Sequence, residues 1–301
     1  MTEQVVHVVC VTYNSCSTIE ALLGSLKRQD GSVGRVTVVD NGSSDDTVER
    51  AERAGRTLGL PLVVLRSTNV GFARGVNRGV RDAPVGGPVL CVNPDVVLSD
   101  GVVPAMLEVL SGVPGAGLVG APLHLPDGTE DPSSRRRLPK SGTASVYAVL
   151  GRKFTPRPWR YNAVDRLDQV ASCNGAIDVE ATTGALMLVA SDLVPTDGRL
   201  FDPGYFMYGE DLQLCLDIRR AGRRVLLVGR DGGLHVKGVS SGLPRSARSN
   251  RAFHHAMWRY FRTNLSPHPI LVPVVWLAIC LRFAVSEIRA TPARWRRRSP
   301  W

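Results

Sequence analysis

The six cysteines, at positions 10, 16, 91, 173, 215 and 280, include no CxxC pair. This argues against a zinc site of the usual spacing and against a disulfide scaffold, and predicts small buried thiols in a reduced, intracellular protein. The N-terminus, MTEQVVHVVCVTYN, has no basic leader and no signal-type cleavage site, so no secretory signal is expected. No internal repeat is visible. There is no GxxxxGK[ST] motif, and no glycine follows the first apolar run, where a dinucleotide-binding GxGxxG would stand. The apolar run PILVPVVWLAICL (269–281) has 13 residues and two prolines. A transmembrane helix needs roughly 20 residues, so none is predicted there.

What is present suits a packed α/β protein. The chain has 301 residues, 44% of them hydrophobic and 21% charged, with a formal charge of +10. A basic balance fits anionic partners: nucleic acid, an anionic bilayer surface or phosphorylated substrates. Nucleic acid is the least suited of these, because the basic residues cluster in the tail and no recognised module accompanies them.

The first 120 residues alternate strand and helix. VVHVVCV (5–11), RVTVVD (35–40), LVVLR (62–66) and PVLCV (88–92) read as strands buried on both faces. Between them, a helix is expected from the capping box STIE (17–20) to about Arg28, a second over 44–59 and a third over 73–83. This order predicts a mostly parallel central sheet, Rossmann-like, with helices on both faces. Residues 121–175 are turn-rich and then basic, and read as a loop system over one sheet edge. Regular pattern returns at GALMLVAS (184–191), in the amphipathic helix of GEDLQLCLDIRRAG (209–222) and in the strand RVLLVG (224–229). A helical tail follows.

Ligands of open α/β sheets bind beyond the carboxyl ends of the strands. Here the early strands end in TYNS (12–15), DNGSSDD (40–46), NVGFARGVN (69–77) and NPD (93–95). Each could be ordinary turn chemistry. Four on one edge point to a ligand, and an aromatic with amides and an acid suits a base and ribose.

The set VVCVTYNS, VVDNGSSDDT, NVGFARGVNRG, VNPDV and FMYGEDLQLCLDIRRAG resembles the inverting nucleotide-sugar glycosyltransferases of family two, in consistent order over about residues 5–240. Within that family the chain looks most like bacterial rhamnosyltransferases: LPDGTEDPSSRRRLP followed by YAVLG is similar to the matching segment of actinobacterial enzymes that add rhamnose to polyprenyl-diphospho-N-acetylglucosamine. The resemblance implies a GT-A fold over 1–240, with a nucleotide-binding half (1–120) and an acceptor-binding half (121–240), and a separate C-terminal helical, basic region (241–301). It implies transfer of L-rhamnose from dTDP-L-rhamnose to a polyprenyl-diphosphate-linked saccharide at the cytoplasmic face of the membrane. A UDP-sugar transferase, or a binding protein without catalysis, are the alternatives; the retained Asp95, Glu210 and Asp211 argue against the last.

By the same resemblance, Thr12, Tyr13, Asn14 and Asp40 hold the nucleotide, as do Asn69, Gly71, Phe72, Arg74 and Asn77. In that loop Gly71 and Gly75 would let backbone approach a ligand, and Arg74 would meet a phosphate. Asn93 replaces the first acid of the DxD motif and leaves Asp95 as ligand to Mg²⁺ or Mn²⁺, with His235 as a second ligand or a contact to the diphosphate. Asp211 is expected as the catalytic base, with Glu210 left to hold the acceptor. Arg135, Arg136 and Arg137 are expected to bind the acceptor diphosphate or lipid headgroups. Residues 282–301 carry six arginines and one glutamate, half the net charge of the protein. Beside an apolar stretch and with Trp295 and Trp301, they suggest an interfacial anchor on the inner leaflet.

Overall fold

Residues in a two-faced strand point alternately up and down, and strand β1 (Val6–Thr12) shows what that achieves here. Val6, Val8 and Cys10 join one apolar cluster, whereas Val9 and Val11 join another on the opposite side. In the computed structural model, residues 5–82, 86–140, 175–237, 246–265 and 269–298 are described, with side chains as far as Thr291. The YAVLG segment, Cys173, Trp295 and Trp301 lie outside these limits.

The main sheet has eight strands in the order β3-β2-β1-β4-β9-β6-β10-β8. Beside β1 stand β2 (Val33–Asp40), β3 (Leu62–Arg66) and β4 (Val89–Val92), all parallel to it. Strand β9 (Leu186–Val189) enters antiparallel between β4 and β6 (Ala116–Gly120). β10 (Arg224–Leu227) runs parallel to β6, and β8 (Ile177–Asp178) closes the edge antiparallel. The expected mostly parallel sheet is therefore present, with an inserted strand that the early pattern did not signal.

On one face lie α1 (Ile19–Lys27), α2 (Thr47–Leu58) and α4 (Val102–Gly112). On the other lie α3 (Phe72–Arg81), α5 (Glu210–Arg220) and α6 (Ala247–Asn264). Helix α3 comes close to β1 because it lacks side chains where it touches: a Cβ on Gly79 would stand 2.4 Å from Val9, and one on Gly75 2.9 Å from Val11. Gly75 thus serves helix–sheet packing, not the approach of a ligand. The capping box at α1 is not formed. Thr18 stands at the cap with no side-chain cap bond, its hydroxyl donating instead to the Ser15 carbonyl at 3.3 Å, and Glu20 pairs with Arg53 at 2.8 Å and with Arg50 at 3.4 Å. All cysteines among the described residues are free, and burial pushes the Cys91 and Cys215 thiols up to about 12.

A second sheet of three short strands, β5-β11-β7, sits at the carboxyl end of the first. It comprises β5 (Val96–Leu98), β7 (Leu123–His124) and β11 (Gly233–His235).

Helix α6 is part of the core. Ala256 belongs to the second apolar cluster, Arg259 pairs with Asp202 at 2.7 Å, and the Asn264 amide donates to Gln213 of α5 at 2.6 Å. The structured body thus extends past residue 240. Helix α7 (Leu271–Arg298) lies on α6 through Val275, Ile279 and Phe261, and through bonds from Asn250 to Ser286 and Glu287. Its stretch Leu271–Thr291 is, by length and composition, long and apolar enough to cross a membrane. This corrects the expectation from the 13-residue run: Arg282 interrupts the apolar pattern without ending the helix, and Phe283–Val285 resume it.

Candidate active site

The loop after β2 is closed by its own acid. Asp40 accepts from Thr12 Oγ1 (3.2 Å) and Ser43 Oγ (2.5 Å) on one oxygen, and from the Gly42 and Ser43 amides (3.2 and 3.1 Å) on the other. A carboxylate has about four acceptor positions, so Asp40, with the buried Thr12, fixes the shape of this loop. Asn14, at φ 50°, accepts from the Ser44 amide at 2.8 Å and ties the ends of β1 and β2 together. The Tyr13 ring beside it is exposed.

The loop before α3 departs further from expectation. Gly71, at φ 91°, lies so close to the Phe206 carbonyl that a Cβ would stand 2.4 Å from it, and the Phe72 amide donates to that carbonyl at 2.7 Å. The Phe72 ring packs against Phe201, with centroids 6.0 Å apart. Asn77 is buried, and both ends of its amide bond the Phe201 backbone, at 2.7 and 2.8 Å. Gly71, Phe72 and Asn77 therefore clasp the 200–206 segment to α3. Arg74 reaches the Pro203 carbonyl at 3.0 Å from an exposed position. Asn69 accepts from the Gly71 amide, and its own carbonyl accepts from Arg248 of α6, at 3.3 Å.

Beyond β4 the chain turns at Asn93, whose carbonyl accepts from the Val96 amide. Its side-chain oxygen is buried without a partner. Asp95 follows, and antiparallel pairing of β5 with β11 sets His235 opposite Val96. His235 Nε2 consequently stands 3.5 Å from Asp95 Oδ1, and its Nδ1 is 2.8 Å from Asp131 Oδ2. Burial works against protonation of His235, but the bond to Asp131 and the nearby Asp95 outweigh it and hold its pKa above the ordinary value. Among the described residues no three His, Cys, Asp or Glu side chains converge on a metal position. Two protein ligands are nevertheless what a hard cation shared with a diphosphate requires. The facing carboxylate and imidazole, with the orphaned Asn93 oxygen nearby in sequence, fit such an ion.

The residues ahead of α5 are strained: Tyr208 is left-handed at φ 69°, followed by Gly209 at φ 82°. For a bulky residue this is an outlier of the kind found at functional sites. The Tyr208 hydroxyl and Ser249 Oγ share a hydrogen bond of 2.7 Å. Glu210 and Asp211 then open α5, both buried. Burial first, and Asp211 second, push the Glu210 carboxyl above its usual range. Asp211 accepts from the Leu212 amide (2.8 Å), the Gly184 amide (3.2 Å) and the Arg136 guanidinium. The Ala185 carbonyl in turn accepts from the Asn93 amide at 3.0 Å. Gly184 and Ala185 thus join the Asp95 and Asp211 ends of the site.

Of the three arginines, Arg136 comes to Asp211, and Arg135 pairs with Glu130 at 2.6 Å. Sequence reasoning missed two contributors. Asp131 sat inside a turn-rich stretch, and Arg248 lay in the tail; neither carries a local signature.

With this geometry in place, comparison with known proteins adds a family. The profile of Glycosyl transferase family 2 matches residues 7–175. The chain is 32% identical over 265 residues to the N-acetylglucosaminyl-diphospho-decaprenol L-rhamnosyltransferase of Mycobacterium tuberculosis, covering 83% of this chain and 81% of that one. Similar solved structures include a mannosyltransferase from Pyrobaculum calidifontis in complex with GDP-Man and Mn²⁺ (18% identity, TM-score 0.55, covering 96% and 75% of the two chains). Another is glucosyl-3-phosphoglycerate synthase from Mycobacterium tuberculosis with Mn²⁺, UDP and phosphoglyceric acid (18% identity, TM-score 0.53, covering 88% and 80%). These likenesses establish the GT-A fold.

Proposed function

The chain belongs to glycosyl transferase family 2, and from that premise we propose that it transfers L-rhamnose from dTDP-L-rhamnose to a polyprenyl-diphosphate-linked N-acetylglucosamine, with inversion. The observation that carries the reading is the junction at Gly184–Ala185, which holds Asp211 on one side and the Asn93–Asp95 turn on the other. A base and an anion-neutralising position are thereby fixed against each other, as a displacement with a leaving diphosphate requires.

In this reading Asp211 takes the proton of the acceptor hydroxyl. The hydroxyl oxygen bonds the anomeric carbon as the bond from that carbon to the diphosphate oxygen breaks on the opposite face. Asp95 and His235 would hold a divalent cation, Mg²⁺ or Mn²⁺, and the chemistry it would supply is neutralisation of the charge that develops on the diphosphate. The exposed Tyr13 ring stacks on the base, with Asn14 and the Asp40 loop as its floor. Glu210 and Arg136 face the acceptor side.

Helix α7 supports a place at the inner leaflet. Val274, Leu277, Leu281, Val285 and Ile288 are exposed at helical spacing, on a face turned away from α6. Basic residues near an anionic surface contribute roughly 1 kcal/mol each, and the arginines of the tail add to this apolar face. A polyprenyl acceptor stays in the bilayer, so the site must come to it.

A donor screen tests the proposal. The protein is given polyprenyl-diphospho-N-acetylglucosamine and each of several nucleotide sugars, and nucleoside diphosphate release is followed. Release from dTDP-L-rhamnose supports the assignment. Turnover of a UDP-sugar alone moves it to another envelope saccharide, and no release with any donor leaves a binding protein.

A further inference from the structure

Asp131 has no part in the reading above, yet it is one of the most completely enclosed acids in the protein, with no exposed surface. It sits in the turn between β7 and the segment that reaches Arg136, where its amide donates to the Leu123 carbonyl at 2.7 Å. Parallel pairing of β7 with β11 brings this turn beside His235, 104 residues away in sequence.

The two carboxylate oxygens of Asp131 do different things. Oδ1 accepts from the Ser133 amide (2.9 Å), the Ser133 hydroxyl (2.7 Å) and Lys237 Nζ (2.5 Å). Oδ2 faces His235 Nδ1 at 2.8 Å. The other neighbours of Asp131 are donors, the Lys237 ammonium and the Ser133 amide and hydroxyl, so the geometry presents Asp131 to His235 as an acceptor. An ionised carboxylate only accepts. The proton of a neutral His235 must then stand on Nδ1, leaving the lone pair on Nε2, the nitrogen turned toward Asp95 at 3.5 Å.

We propose that Asp131 is the positioning residue of the cation site: by holding His235 through Nδ1, it sets the tautomer and ring orientation that make Nε2 a ligand beside Asp95. The inference rests on the reading of Asp95 and His235 as the metal-holding pair. A carboxylate behind a ligating imidazole fixes its orientation and strengthens it as a donor, and losing such a partner typically costs 10–100-fold in metal affinity. The competing role is to brace the loop through Ser133 and Lys237 alone, and the two roles separate by substitution.

Asp131→Asn keeps the shape and the acceptor toward Ser133. Where its amide group turns to His235 it donates, which forces the imidazole proton to Nε2 and points a donor at Asp95. Lys237→Met removes the lysine partner of Asp131, keeps Ser133 and leaves the His235 side chain untouched. Mn²⁺ binding is measured by calorimetry on the full chain with saturating dTDP. The expected result is a 10–100-fold weaker Mn²⁺ affinity for Asp131→Asn and a change within about twofold for Lys237→Met. Equal loss in both variants, or none in Asp131→Asn, overturns the proposal. The tautomer is read directly in the wild type by ¹⁵N NMR of the histidines at alkaline pH, so a failure of the variant to fold does not remove the test. A proton on Nδ1 of His235 is expected, and a proton on Nε2 overturns the proposal. If the wild type takes up no Mn²⁺ while His235 carries its proton on Nδ1, it is the metal reading that falls, and the positioning role is confined to the imidazole.

Discussion

The Arg136 guanidinium rests on the Asp211 carboxylate, although the two residues are 75 positions apart and neither side chain is more than 15% exposed. The pair meets because Arg136 and Ala181 exchange backbone hydrogen bonds at 2.9 and 3.0 Å, which carries the arginine to the start of α5. Arg136 Nε remains buried without a partner.

Asp211→Asn keeps the size of the side chain and removes its ability to take a proton. Transfer is expected to fall by about 10²–10⁴-fold, while the affinity for nucleotide sugar stays within a few-fold in calorimetry. A variant that turns over near the wild-type rate removes Asp211 as the base.

Arg136→Met leaves the Asp211 charge with only the two backbone donors. Breaking a buried pair from one side costs about 3–5 kcal/mol, and the slight exposure here places the expected loss near 3 kcal/mol in urea unfolding. The Met variant is expected to lower kcat while the donor KM holds. Arg136→Lys is expected to restore part of the rate. A rise in acceptor KM alone shows instead that the cation meets the acceptor and not the base.

Asp95→Ala is expected to abolish the metal dependence of donor binding, seen as equal calorimetric affinity for dTDP with and without Mn²⁺. EDTA is expected to stop turnover of the wild type. Full activity in EDTA removes the cation from the reaction.

Glu210 gives a pH signature. Its carboxyl is raised from the ordinary 4.5 by burial and then by the Asp211 charge. The folded state therefore binds more protons than the unfolded state above that value, and stability falls as pH rises through the window toward the raised folded pKa. Glu210→Gln stays neutral throughout. Its Tm advantage over the wild type is expected to grow from about pH 5 to about pH 8. A constant difference across that range contradicts the shifted carboxyl.

Helix α7 predicts two kinds of membrane dependence. Leu277→Asp with Leu281→Asp is expected to release the protein from anionic vesicles at any salt, because the apolar face is broken. Replacing Arg294, Arg296, Arg297 and Arg298 with glutamine is expected to weaken flotation at low salt and to matter little at high salt, where such charges are screened. Flotation unaffected by either set assigns the apolar face to another partner.

The legible parts of this protein were the periodic ones. Strands β1 to β4 and helices α2, α3 and α5 follow from apolar spacing and helix-end residues, and the carboxylates Asp95, Glu210 and Asp211 follow from short motifs at element ends. Long-range pairing left no such trace. Asp131 looked like any turn acid, because its partner His235 arrives only through β7–β11 pairing. Motif position says nothing about which way a side chain faces, so the hold that Asn77 and Phe72 have on Phe201 appears only in the fold. Helix α7 was underestimated because a single arginine ended the apolar count while the backbone continued.

The attachment of α6 has a mechanical meaning. It is fastened to the α5 region by Arg259–Asp202 and Asn264–Gln213, and to α7 by Asn250–Ser286. With α7 in lipid, α6 would be the strut through which the bilayer holds the start of α5.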